Sequence, residues 1–265
     1  MKVWPSSSET EEPENILRRI GEQVAQSHQI AERKKPEVMN TILRAIVLLL
    51  LLGFAVASNA QETRKLDHFD AVSVTGDISV TLVKGDSPSA LIETDGIDAD
   101  EITLYVKGKT LKIQLIEGLF KDFDRVEITL TYNHLRAIRS SAGASVRTSG
   151  PITGDELNLR ASSGGQLFAE VDVNAIEASA SEGGVLTVSG QTEDQEVTVS
   201  TGGMYEGLEL QCMRTYVKSN TGGMAEVVAQ KRLDANANTG GSIEYTGEPE
   251  IKNIRSLISG GIRKL

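Results

Sequence analysis

The sequence predicts an all-β protein, a parallel β-helix or solenoid of about seven coils of 18–21 residues preceded by an N-terminal strand-rich portion. Three observations carry this reading. A Gly-Gly pair returns at near-constant intervals through the C-terminal half. Apolar and polar residues alternate with period two on both sides of each pair. After residue 60 no segment of helical length shows a 3.6-residue apolar period.

The chain begins differently. In residues 1–38, "NILRRIGEQVAQSHQIAERKK" carries Ile16, Leu17, Ile20 and Val24 at helical spacing, followed by Arg33, Lys34 and Lys35. This N-terminal extension reads either as an overextended gene start, with Met39 the true first residue, or as a cytoplasmic segment held inside by its basic end. Residues 39–60 read as a signal peptide or a short membrane anchor. Arg44 precedes the 13-residue apolar run Ala45–Ala57. A transmembrane helix needs about 20 apolar residues. The small residues Ser58 and Ala60 place a cleavage site between Ala60 and Gln61. Both readings put residues 61–265 outside the cytoplasm.

Composition narrows the function. The net charge is −10; residues 1–60 carry seven basic and seven acidic side chains, so the full excess of acid lies in residues 61–265. That argues against nucleic acid, whose phosphates call for a basic surface. Cys212 is the only cysteine, which excludes an internal disulfide. Aromatics make up 4% of the chain, so the core is built from Val, Ile, Leu and Ala.

Residues 61–134 form the N-terminal β-strand portion. "FDAVSVT" and "DISVTLV" alternate around a turn at Gly76-Asp77, and "EITLYVKGKTLKIQLI" folds back through Lys107-Gly108-Lys109. Residues 135–265 hold the Gly-Gly repeats and continue from 61–134 as one domain. The pairs are Gly164-Gly165, Gly183-Gly184, Gly202-Gly203, Gly222-Gly223, Gly240-Gly241 and Gly260-Gly261, with "SAGA" at Ser141–Ala144 a degenerate relative. Counted from the first glycine, positions −5 and −3 hold residues such as Leu159 and Ala161, and +3 and +5 hold Leu167 and Ala169; these face inward. A second turn is expected opposite, at Asp172–Asn174, Gly190–Asp194 and Thr246–Glu250. A single coil cannot bury its own apolar face, and stacked coils can. The glycine pairs then form a column of sharp corners, where positive φ costs glycine nothing. A phosphate cradle would need a helix after the glycines, and strands follow instead.

From Phe69 onward the chain resembles the family described as putative auto-transporter adhesin, head GIN domain. The resemblance rests on "FDAVSVTGDISVTLVKGD", on "LKIQLI" ahead of "VEITLTYNHLRAIRSSAGASV", and on the Ser-Gly-rich coils. It implies an exported bacterial β-helical domain and carries no catalytic residues.

Other candidate chemistry is thin. Asp95, Asp98, Asp100 and Glu101 read as an acidic turn rather than a calcium site. His68 and His134 lack metal-ligand spacing, and Cys212 reads as a packed thiol. Glu182, Glu206 and Glu226 lie near one corner in successive coils, a spacing better suited to repulsion or cation binding than to acid–base catalysis. No catalytic residue, metal or cofactor is expected. The leading reading is a non-enzymatic, adhesin-like binding domain at the bacterial envelope, with an unidentified glycan or protein ligand. The alternatives are a periplasmic accessory or stress-response protein and a carbohydrate-active enzyme. Near the C-terminus Lys252, Arg255, Arg263 and Lys264 read as charges that protect a strand edge, or as a surface on which a second copy docks.

If the segment is a cleaved signal, mass spectrometry of the native envelope protein gives a mature N-terminus at Gln61. A peptide containing residues 16–33 joined to the mature chain would establish the anchored form instead.

Overall fold

The computed structural model describes residues 60–115 and 125–265. The expectations for residues 1–38 and for 39–59 lie outside the described residues. Among the described residues no helix is long and apolar enough to cross a membrane.

Nineteen strands form one continuous hydrogen-bonded sheet. The first nine are β1 (Ala60–Lys65), β2 (Ala71–Thr75), β3 (Ser79–Lys84), β4 (Ser89–Asp95), β5 (Ile102–Lys107), β6 (Thr110–Leu115), β7 (Arg125–Tyr132), β8 (Ala137–Ser141) and β9 (Ser145–Thr148). The repeats supply β10 (Ile152–Ser162), β11 (Gln166–Ser181), β12 (Val185–Ser200), β13 (Met204–Glu206), β14 (Leu210–Ser219), β15 (Met224–Val228), β16 (Arg232–Asn238), β17 (Ser242–Thr246), β18 (Ile251–Leu257) and β19 (Gly261–Lys264).

The strands stack in two parallel ladders. The first runs β6, β2, β8, β10, the C-terminal halves of β11 and β12, then β14, β16 and β18. The second runs β7, β3, β9, the N-terminal halves of β11 and β12, then β13, β15, β17 and β19. Seven coils thus run from β8 to β19, the solenoid that the period predicts. The N-terminal strands join the same stack out of chain order. The β2–β3 coil sits between the β6–β7 coil and the β8–β9 coil, and β5, β4 and β1 extend the ladders with antiparallel pairing.

Each corner is a tight turn. Gly165 N–H donates to Ser162 C=O at 2.9 Å, and the two residues between have φ of 50° (Ser163) and 74° (Gly164). Both signs are those of a type I′ turn. Glu182, Thr201, Thr221 and Thr239 share the positive φ of Ser163, so the left-handed backbone starts one residue before the glycines. The N–H of the first glycine reaches the next corner: Gly164 donates to Glu182 C=O and Gly202 to Thr221 C=O.

The second glycine has another reason. A Cβ on Gly184 would stand 2.5 Å from the carbonyl carbon and oxygen of Ala161 in the preceding coil; Gly165, Gly203 and Gly241 are as tight, and Gly223 follows at 2.9 Å from Val199. A Cβ on Gly183 would meet nothing within 4 Å. The first glycine therefore answers to φ and the second to the approach of the neighbouring backbone.

Two features differ from the sequence reading. Asp172–Asn174 and Gly190–Asp194 are not turns. β11 and β12 run through them as 16-residue strands that bend where Asn174 and Glu193 drop out of register. Neighbouring coils pair on both sides there, so the backbone stays in the ladder. Only Thr246–Glu250 contains a loop, with Gly247 at φ 100°. In the last coil the corner residues are Ile258 (φ 47°) and Ser259 (φ 62°). Gly260 there takes the place of a second glycine, 2.3 Å from Ala237 O if given a Cβ, and Gly261 pairs with Ser242. The pairing of Asn238 with Leu257 sets that corner, and the glycine pair lies one residue late.

The core is a narrow file of Leu, Val, Ile and Ala from both ladders. A few rings join it, Phe69, Tyr132 and Tyr245 among them, and Tyr205 is the largest fully buried side chain. Its hydroxyl donates to Gln195 Oε1 at 2.9 Å, and Gln195 Nε2 donates to Thr215 Oγ1 (3.0 Å) and Val228 C=O (3.1 Å). Thr215 Oγ1 donates to Val228 C=O at 2.6 Å, so this buried group is internally satisfied.

The two glycine roles separate experimentally. Gly184→Ala forces coils apart and is expected to cost about 3 kcal/mol or more by chemical denaturation. Gly183→Asn keeps a residue that tolerates the left-handed region and is expected to cost about 1 kcal/mol or less. Equal costs would refute the assignment.

Candidate functional site

In-register stacking turns every outward position into a column along the solenoid. On the first ladder, one column holds Asn158, Glu177, Glu196, Tyr216, Asp234 and Asn253. Two residues further along each strand lies a second column, with Arg139, Arg160, Ser179, Thr198, Lys218, Asn236 and Arg255 in order.

Tyr216 is 40% exposed although it lies in mid-sheet. Two shallow depressions meet at it. One, of about 410 Å³, is bordered by Glu196, Tyr216, Lys218, Asp234, Asn253 and Arg255. The other, of about 520 Å³, runs past Asn158, Glu177, Asp194 and Arg136. The Arg232 guanidinium lies 5.6 Å from the Tyr216 ring centroid and pairs with Asp234. Arg214 binds Asp194 through two hydrogen bonds and reaches Glu193 at 3.3 Å. Asn158 Nδ2 donates to Glu177 Oε2 at 2.7 Å. The ring is thus held in a frame of fixed polar groups.

The second ladder is plainer. Glu206, Glu226 and Glu244 stack on consecutive rungs, with Thr187 donating to Glu206 at one end and Arg263 pairing with Glu244 at the other. Glu182 does not join them. It occupies a corner and accepts a hydrogen bond from Ser163 at 2.7 Å. The sequence placed Glu182 with Glu206 and Glu226 and did not pick out Glu244.

The remaining candidates scatter. Asp98 accepts from Asp100 N–H and caps the 3-10 turn Ala99–Glu101, while Arg64 pairs with Asp100. Among the described residues no three His, Cys, Asp or Glu side chains gather to hold a metal. The C-terminal cations are partly engaged by the preceding coil: Arg263 with Glu244 and Lys264 with Glu248.

Cys212 is 1% exposed, and burial pushes its thiol pKa up. Iodoacetamide at mildly alkaline pH is expected to leave it unmodified in the native chain and to alkylate it in concentrated urea. Rapid native labelling would overturn its placement in the core.

The sequence signal did not single out Tyr216 or the cation column. The comparisons with known proteins concern the whole fold. Among solved structures, one described as a putative adhesin from Bacteroides fragilis NCTC 9343 aligns with a TM-score of 0.70 at 19% identity, over 77% of this chain and 96% of that one. A putative adhesin from Parabacteroides merdae ATCC 43184 aligns at 0.61 and 16% identity, over 78% and 95%. A protein described as a putative lipid binding protein from Parabacteroides distasonis ATCC 8503 aligns at 0.58 and 22% identity, over 78% and 98%. At these identities the likeness shows a shared fold. A search of curated proteins finds no match. The family profile described as "Putative auto-transporter adhesin, head GIN domain" matches residues 68–249, most of the chain, and the protein belongs to that family.

Proposed function

We propose that the protein is an exported, non-enzymatic binding domain of the bacterial cell envelope, and that it holds a glycan on the outer face of the first ladder. The observation that carries this reading is Tyr216. An aromatic ring with a polar tip stands exposed between two shallow depressions, framed by carboxylates, amides and cations fixed to the rungs of the sheet. Such a surface offers a platform for a sugar ring and hydrogen-bond partners for its hydroxyls. The adhesin and lipid-binding descriptions of the neighbours fit a binding role.

The carboxylates support binding over hydrolysis. A glycosidase needs one acid whose pKa is raised. Among the described residues the shifted carboxyls move down, and of these Asp234 borders the Tyr216 face. Arg64 lowers Glu62, Arg232 lowers Asp234 and Lys264 lowers Glu248; burial pushes Asp70 up, and Arg136 with Lys109 outweighs it.

A glycan array probed with the full-length chain in mild detergent, with reducing-end release measured on the same glycans, tests the proposal. Binding without release is expected, and Tyr216→Ala should weaken it about tenfold, the loss of one buried stacking contact. Released product would make the protein an enzyme. Unchanged affinity in Tyr216→Ala would move the site off this face.

A further inference from the structure

The described residues include ten arginines. Six of them, Arg64, Arg125, Arg136, Arg214, Arg232 and Arg263, make salt bridges. Arg147 lies 4.6 Å over the Phe168 ring. The three that remain, Arg139, Arg160 and Arg255, all stand in one column of the first ladder. Lys218 and Lys112 stand in that column too. Between them come Ser73, which is buried, and the partly exposed Ser179, Thr198 and Asn236, and no rung carries an acid. At the far end exposed Tyr105 pairs across from Lys112. In a chain of net charge −10, the described arginines with neither a salt bridge nor a ring contact stand in a single line.

From these placements, and resting on the glycan reading above, we infer that the ligand is a linear acidic polysaccharide whose carboxylates lie along the column of Lys112, Arg139, Arg160, Lys218 and Arg255. The column's geometry suits such a polymer. Rungs are about 4.8 Å apart, so Lys112 and Arg255, eight rungs apart, span about 38 Å. Lys112 to Arg139 and Lys218 to Arg255 are each two rungs, about 10 Å, and the gap from Arg160 to Lys218 is three. That is a sparse, one-dimensional array of cations with hydroxyl and amide groups between them. A polysaccharide carries its charges sparsely and offers hydroxyls elsewhere, and those hydroxyls find acceptors in the parallel column of Glu177, Glu196 and Asp234 beside Tyr216. Duplex DNA carries a charge about every 1.7 Å and would set phosphates against that acidic column. Guanidinium groups favour carboxylates through paired N–H donors.

The experiment compares polygalacturonate with its fully methyl-esterified form, which keeps the backbone and removes the charge. The protein is the full-length chain in mild detergent. Three proteins are titrated at two salt concentrations: wild type, the column variant Arg139→Gln/Arg160→Gln/Lys218→Gln, and a control that removes the same charge elsewhere, Lys65→Gln/Lys84→Gln/Lys231→Gln. Thermal melting establishes that all three are folded. The expected result is wild-type binding to polygalacturonate that weakens with salt and is lost on esterification. The column variant should bind about tenfold or more weakly, the combined size of three modest ionic contacts, with the control unchanged. Equal binding of both polymers would overturn the charge assignment and leave a neutral-glycan face in place. Equal loss in the column and control variants, or displacement by duplex DNA at comparable concentration, would overturn the column as a site. No binding of either polymer, with other glycans bound on the array, would overturn the acidic class alone; no glycan bound at all would overturn both readings.

Discussion

The fold depends on one constraint: successive coils pair in parallel and in register, so each coil lies about 4.8 Å from the next along its whole length. A side chain directed at that gap has no room. This is why the second glycine of each pair is tight against the previous coil, with Gly203 as close to Ala180 as Gly184 is to Ala161. It also explains why inward positions hold Ala as often as Leu, and why a ring as large as Tyr205 needs the absent side chain of Gly207 beside it, 2.5 Å from where a Cβ would stand. The polar end of that ring then has to be satisfied within the core. Gln195 and Thr215 do this from the neighbouring rungs, and the three residues form one unit rather than three independent choices.

Much of this was legible in the sequence, because a stack of coils writes its period directly. The inward pairs Leu159/Ala161 and Leu167/Ala169 could be read from the first glycine, and they are buried. Three features could not be read. The stacking of β2–β3 between β6–β7 and β8–β9 is a nonlocal choice, and alternation within a strand says nothing of which coil it joins. The bends inside β11 and β12 look like turns in sequence, since Asn and Gly mark both, yet the ladders on either side hold the backbone extended. The last corner follows the register from β16 rather than its own glycines, which places Ile258, a β-branched residue, at φ 47°.

The cation column was legible in a different sense. Four residues before the corner glycine the repeats read Arg139, Arg160, Ser179, Thr198, Lys218 and Asn236, and with the last coil shifted by one, Arg255. Attention to the inward positions −5 and −3 passes over the outward residue between them. Alignment by glycine pair also misplaces the last member. Tyr216 is harder to see. A lone aromatic in a strand reads as core, and only the pairing of Val217 with Val197 and Ala235 shows that its neighbour faces in and Tyr216 faces out.

The two ladders treat like charges differently. Glu206, Glu226 and Glu244 stand on consecutive rungs, yet Thr187 and Arg263 close the line at its ends. Arg139 and Arg160 also stand on adjacent rungs and make no ion pair, with Ser73 on one side and Ser179 on the other. Two unit charges about 4 Å apart in water repel by about 1 kcal/mol, so the arrangement disfavours the free state slightly. Solvation alone would be served by any polar residue at an outward position, and the solenoid would stack as well with Ser or Thr at each rung, as it does at Ser179 and Thr198. In a repeat fold a single outward position becomes a line tens of ångströms long. The sign of charge along that line is free of the packing that fixes the inward residues, and here a line of cations runs beside the acidic column of Glu177, Glu196 and Asp234, with Arg255 near enough to Asp234 to help hold its carboxyl down.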